Sequence, residues 1–173
     1  FEHGAWQNIV LDIRVTFDLE GTVCHEIWHA TENKIVQQTA NAFDDARWEA
    51  FWAWAEETGT PILWHVNDPE NFWDSEHAPA FAVQQGWLYD DSYVNNEAQY
   101  AEVLNVLARH PALRIDFAHF FFMSAQLDRL DDILSRYGNV CVDLTPGIEM
   151  YENFSAGIDR ARAFFERWHG RII

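Results

Sequence analysis

The sequence predicts an α/β fold laid around a parallel sheet, and three observations carry that prediction. From residue 60 onward, short apolar runs alternate with longer segments of helical period. Glycine or His-Pro punctuation separates them, at Gly59, His110-Pro111 and Gly138. The composition, 49% hydrophobic and 23% charged over 173 residues, supplies apolar side chain for one packed core and argues against disorder.

Each element follows from local pattern. Residues 8–17 read as a long strand and residues 34–38 as a shorter one, with a loop-like stretch holding two histidines between them. Asp44 and Asp45 can cap a helix whose apolar positions Trp48, Phe51, Trp52 and Ala55 recur at i, i+3, i+4 and i+7, with Gly59 as its stop. Residues 61–66 form a short apolar run suited to a buried parallel strand. The segment 67–95, rich in Trp, Pro, Asp and Asn, is too long for a simple turn, and loops of that length are usually functional. Asn96 can cap a helix to about Arg109 that turns Val103, Leu104 and Leu107 inward. Residues 113–119 and 139–145 repeat the strand pattern. Between them Ser124 can start a helix with Leu127, Leu130, Ile133, Leu134 and Tyr137 on one face. A last helix presents Ile158, Ala161, Phe164, Phe165 and Trp168, and Arg171–Ile173 opens a further strand.

Charge excludes two classes of partner. Acidic residues number 28 against 11 basic ones, a net of −17, which is the wrong sign for nucleic acid or an anionic membrane. Residues 1–86 carry most of it, with 3 basic and 15 acidic side chains (3 − 15 = −12). Two cysteines, Cys24 and Cys141, are too few for a disulfide framework and read as reduced, buried residues of a cytoplasmic protein. Residues 1–173 show no signal-peptide pattern at Phe1, no membrane-length apolar run, no Gly-rich phosphate loop and no nucleophile elbow.

Chemistry concentrates at the predicted strand ends. His65, His119, and Asp143 with Thr145 all fall at carboxyl edges of parallel strands, where α/β sheets gather active-site groups. Two imidazoles on adjacent strands suit metal ligation or proton transfer, against the simpler role of bonding neighbouring loops. Asp68, three residues beyond His65, is placed to reach the same cavity, and Phe72, Trp73, Trp87 and Tyr89 to wall it. The competing reading packs those rings onto the sheet edge and leaves Asp68 to start a turn with Pro69. His25-Glu-Ile-Trp-His29 matches a zinc-protease motif, but residues 19–24 before it make no helix and the parallel-sheet organisation is foreign to that class. Trp48, Trp52 and Trp54 fall on one helix and read as core and interface rather than a ligand cage.

Three segments carry a family resemblance. Pro61-Ile-Leu-Trp-His-Val-Asn-Asp-Pro-Glu-Asn-Phe-Trp-Asp74, Asp116-Phe-Ala-His-Phe-Phe-Phe-Met-Ser124 and Val142-Asp-Leu-Thr-Pro-Gly-Ile-Glu-Met-Tyr151 resemble the amidohydrolase superfamily, in the branch that includes aminocarboxymuconate-semialdehyde decarboxylase. The resemblance runs from about residue 44 to the end. It implies a (β/α)8 TIM barrel with one divalent metal, usually Zn, at the carboxyl face. His65 matches the metal-ligating histidine of the fifth strand, and His119 the catalytic histidine of the sixth. Glu149 and Tyr151, after the seventh strand, join Asp68 and Trp73 as expected substrate contacts.

The departures from the family shape the expectation. No His-x-His pair is present, His25 and His29 being four apart, and Arg171–Ile173 stands where the eighth strand, with its Gly-Thr-Asp, is expected to begin. Residues 1–173 are therefore expected to form a single, incomplete domain: a partial (β/α)8 barrel lacking its first and last strands and belonging to a longer chain of about 250 residues. The expected function is metal-dependent hydrolysis of a small carboxylated or cyclic substrate. The alternatives are non-oxidative decarboxylation, or a non-catalytic fragment with structural histidines. Exposed strand edges and the tryptophan excess point to a homo-oligomer.

Overall fold

A computed structural model describes residues 13–17, 23–27, 42–145 and 147–173. Five strands form one sheet in chain order: β1 (Ile13–Phe17), β2 (Val23–Ile27), β3 (Ile62–Trp64), β4 (Ile115–Phe117) and β5 (Val140–Val142). β1 pairs antiparallel with β2, while β2 through β5 run parallel, in a register that sets Leu63 opposite Asp116 and Asp116 opposite Cys141. Ile172 extends the row through a parallel bridge to Val142, so the start of a further strand expected at residues 171–173 is present.

This arrangement replaces the expected partial barrel. Barrel closure requires the outermost strands to pair with each other, and here they are β1 and the single bridge at Ile172. Only the five residues 18–22 separate β1 from β2, enough for a hairpin but not for the crossover that a parallel pair needs. The first strands are thus a hairpin. β2 occupies the stretch expected to be loop, and places His25 and Glu26 on extended backbone rather than one helix face, which removes the zinc-protease geometry. The expected strand at residues 34–38 and the position of His29 lie outside the described residues.

Helices cover one face of the sheet. α1 (Glu49–Thr58) follows a 3₁₀ turn at Ala46–Trp48 whose first turn is capped by Asp45, its Oδ1 accepting the Arg47 N–H at 2.9 Å. It stops at Gly59, which adopts φ 65°, a left-handed conformation that glycine reaches without strain. α2 (Ala80–Gln85) lies within the long segment after β3, and α3 (Asn96–Arg109) leads to β4. Asn95, not Asn96, caps α3 by accepting the Glu97 N–H at 2.8 Å; Asn96 is buried and used elsewhere. α4 (Leu127–Arg136) begins later than Ser124, which is buried and accepts from Asn153 Nδ2 at 2.9 Å. α5 (Ile148–Ala156) and α6 (Ile158–Trp168) are separated at Gly157.

Side-chain alternation along the strands sorts the two faces. Ile62, Trp64, Ile115, Phe117, Val140 and Val142 are buried against the helices, while Leu63, Asp116 and Cys141 alternate to the opposite face and are half-buried. Cys141 is therefore free but not fully buried as expected. The core joins Trp52 of α1, stacked on Trp64 with centroids 4.6 Å apart, to Val103 and Leu107 of α3, Leu130 and Leu134 of α4 and Phe164 of α6. Each large apolar side chain buried here contributes about 1.5–3 kcal/mol. Ile158, expected inward, is exposed. Among the described residues no helix is long and apolar enough to cross a membrane.

Candidate active site

The site is assembled where β3, β4 and β5 end. The chain leaving β3 carries His65, Val66, Asn67 and Asp68 into buried positions. Two reciprocal bonds tie this segment to the start of α3: Asn67 Nδ2 donates to the Asn96 carbonyl at 3.2 Å, and Asn96 Nδ2 to the Asp68 carbonyl at 3.3 Å. Asp68, only 2% exposed, accepts a short hydrogen bond from the Tyr89 hydroxyl. Burial, and then the Asp68 charge, push the Tyr89 phenol well above its ordinary range, so it remains a donor.

Tyr89 belongs to a small second core that explains the segment 67–95. A 3₁₀ turn at Glu70–Trp73 and helix α2 bury Phe72, Ala82 and Tyr89 together, and Trp73 stacks on Tyr89 with centroids 4.2 Å apart. The expected aromatic wall is therefore divided: Trp73 reaches the cleft described below, Phe72 and Tyr89 are buried beneath it, and Trp87 is exposed.

β4 ends in an unusual backbone. His119, Phe120, Phe121 and Phe122 take φ values of 55°, 58°, 56° and 50°, a left-handed turn made without glycine. Each such residue costs about 1–2 kcal/mol relative to a right-handed conformation. Packing and hydrogen bonds offset this. Phe120 and Phe121 are fully buried, Phe121 stacks on Phe117 at 3.9 Å, and the Tyr100 hydroxyl donates to the Phe121 carbonyl at 3.1 Å. The Asp143 carboxylate, at the end of β5, accepts the His119 N–H at 2.8 Å.

The turn sets the His119 ring against His65, edge to face, with centroids 4.9 Å apart and planes at 75°. His119 Nδ1 lies 3.1 Å from the Thr145 carbonyl oxygen. A carbonyl can only accept, so Nδ1 carries a proton and, in the neutral ring, Nε2 holds the lone pair. The Phe122 ring touches both imidazoles, with centroids 5.3 Å from His65 and 5.1 Å from His119. It also lines a cleft of about 490 Å³, so this one ring stands between the histidine pair and that space, which neither imidazole lines.

The cleft is strongly acidic. Glu70, Asp74, Glu97, Glu149 and Glu152 line it beside Trp73 and Phe122; no Lys, Arg or His among the described residues does, though Arg129 pairs with Glu97 at 2.8 Å and His77 with Asp74 at 2.6 Å. Burial raises the Glu149 carboxyl above its ordinary value and the Asp68 charge adds to this, while His119 opposes it, which places Glu149 within electrostatic reach of both. Of the expected site residues, His65, His119, Asp68, Trp73 and Glu149 gather at this edge. Tyr151 does not: it is 64% exposed. Glu149 and Glu152 lie on the cleft side of α5 and Met150 is buried, so Tyr151 falls on the outer face.

Asp143 was legible as a strand-end carboxylate, whereas Phe122, Glu97 and Glu152 carried no signal of a shared cleft. Among the described residues no three His, Cys, Asp or Glu side chains lie grouped to hold a metal ion. His65 and His119 thus do not fit a complete Zn site there, and no step below is assigned to a metal. Comparison of the chain with protein-family models, with curated proteins and with solved structures finds no match.

Proposed function

We propose that the protein is a hydrolase of the amidohydrolase type whose proton-transferring group is His119, with the adjacent cleft as its substrate pocket. The observation that carries this reading is the His65–His119 pair at the ends of two adjacent parallel strands, held edge to face at 4.9 Å, with the Phe122 ring touching both imidazoles and lining the cleft beside them. The resemblance of residues 61–74, 116–124 and 142–151 to amidohydrolases supports it.

In this reading His119 Nε2 takes a proton from water as the water oxygen adds to a carbonyl carbon. Collapse of the adduct breaks the carbon–nitrogen or carbon–oxygen bond, and the protonated His119 ring gives the proton from Nε2 to the departing atom. His119 is thereby returned to its starting state, the proton taken from water having passed to the leaving group. His65 fixes the plane of the His119 ring by edge contact.

Of the five acidic side chains lining the cleft, Glu97 is paired with Arg129 at 2.8 Å and Asp74 with His77 at 2.6 Å. The acidity left by Glu70, Glu149 and Glu152 favours a neutral or cationic cyclic substrate over a carboxylated one, and so hydrolysis over decarboxylation. With a net charge of −17, the protein in this reading acts on a small molecule in the cytoplasm, as a homo-oligomer, and engages neither nucleic acid nor membrane. A panel of cyclic amides and lactones, matched in size and differing in charge, tests it. Neutral and cationic members are expected to turn over with kcat/KM at least about tenfold above carboxylated ones. Preference for the carboxylated members, or turnover of none, contradicts the reading.

A further inference from the structure

We propose that Asp143 is the positioning residue for His119, selecting the ring tautomer in which Nε2 is the base. This inference rests on the role given to His119 above and extends it to a residue that touches no substrate. Asp143 is 9% exposed, and a single carboxylate oxygen, Oδ1, accepts two N–H groups: that of His119 at 2.8 Å and that of Thr145 at 2.9 Å. One of those residues carries the ring, and the other supplies the carbonyl that holds Nδ1 at 3.1 Å. The same carboxylate thus fixes both ends of the contact that decides where the imidazole proton sits.

The backbone of Asp143 completes the clamp. Its N–H donates to the Phe117 carbonyl at 3.1 Å, before the left-handed turn, and its carbonyl accepts the Phe120 N–H at 2.9 Å, within the turn. Four hydrogen bonds from one residue therefore bracket His119 on both sides. A left-handed run of four non-glycine residues persists only where its surroundings over-determine it, and such strain gathers at functional sites. The clamp has an acceptor requirement rather than a charge requirement, since both of its side-chain partners are N–H donors. An asparagine at position 143 can present its Oδ1 to the same two groups, whereas an alanine leaves both without an acceptor.

Two measurements on the full chain test the proposal. Nitrogen-15 NMR of the wild-type imidazoles is expected to show His119 as the Nδ1–H tautomer at neutral pH; an Nε2–H tautomer overturns the proposal without any variant being made. In Asp143→Ala the Nδ1 and Nε2 shifts are expected to converge toward tautomer averaging, with kcat reduced about 10- to 100-fold, KM within about twofold, and Asp143→Asn restoring most of both. Asp143→Ala that retains the wild-type His119 shifts also overturns it. A locked Nδ1–H tautomer in a chain that hydrolyses nothing supports the positioning role while contradicting the proposed function, so the two fail separately.

Discussion

Asp116 shows how a single residue records the electrostatics of this sheet edge. It stands in the middle of β4, its Oδ1 has no hydrogen-bond partner among the described residues, and burial followed by the Asp143 charge pushes its carboxyl up to about 6 from an ordinary 3.8. The folded protein therefore holds this proton more tightly than the unfolded chain does. The contribution favours folding at low pH and is lost as pH rises from about 4 to about 6. Asp116→Asn is expected to be more stable than wild type by about 1 kcal/mol above pH 7, after allowing for partial exposure, with the difference vanishing near pH 4. Urea unfolding across that range measures it, and a pH-independent difference would count against the assignment. Tyr89 makes the opposite kind of contribution, because it satisfies the buried Asp68. Tyr89→Phe is expected to lose about 1.5–3 kcal/mol in the same unfolding measurement. At this scale His65, His119 and Asp143 were legible because polar residues ending apolar runs mark a sheet edge. The left-handed turn was not, since His-Phe-Phe-Phe contains neither of the residues, Gly and Asn, that normally announce positive φ. Tyr151 was misplaced for a related reason: without α5 in the reading, nothing assigned it to the outer face.

At the scale of elements, caps and periods decided what could be read. α1, α4 and α6 carry apolar residues at helical spacing, and α1 ends at a glycine with φ 65°. A Cβ at Gly59 would meet nothing within 4 Å, so Gly59→Ala isolates the backbone effect, and a loss of about 1 kcal/mol in thermal unfolding is expected. Asn95→Ala removes the side-chain acceptor at the start of α3 and is expected to lose about 1 kcal/mol, whereas alanine at Asn96 leaves that cap in place and severs the buried tie to Asp68. The larger loss belongs at position 96, and equal losses would contradict the distinction between cap and tie. The short strands were legible in place but not in length, because apolar residues continue past the three that pair. β2 is hidden in the sequence because His25-Glu-Ile-Trp-His29 reads as a motif before it reads as alternation. The segment 67–95 was recognisable as too long for a turn, yet its two short helices have no helical apolar period and are held by ring contacts across the segment instead.

For the molecule as a whole, the hairpin at β1–β2 is what separates the observed sheet from the barrel that the resemblance implied. The parallel strands β2 to β5 in chain order, with α1, α3, α4 and α6 packed into one core against a single face, still bring His65 and His119 to one edge, so the site does not depend on closure. Net charge was legible from composition, but its concentration in the cleft was not. Glu70, Glu97 and Glu152 come from three separate elements, and only the fold brings them together. His119 is the group proposed to move the proton, and His119→Asn tests that most directly. With the best substrate of the charge-graded panel, kcat is expected to fall about 10²- to 10⁴-fold while the thermal unfolding midpoint stays within a few degrees of wild type. A folded His119→Asn variant that keeps its kcat within about twofold of wild type would contradict it.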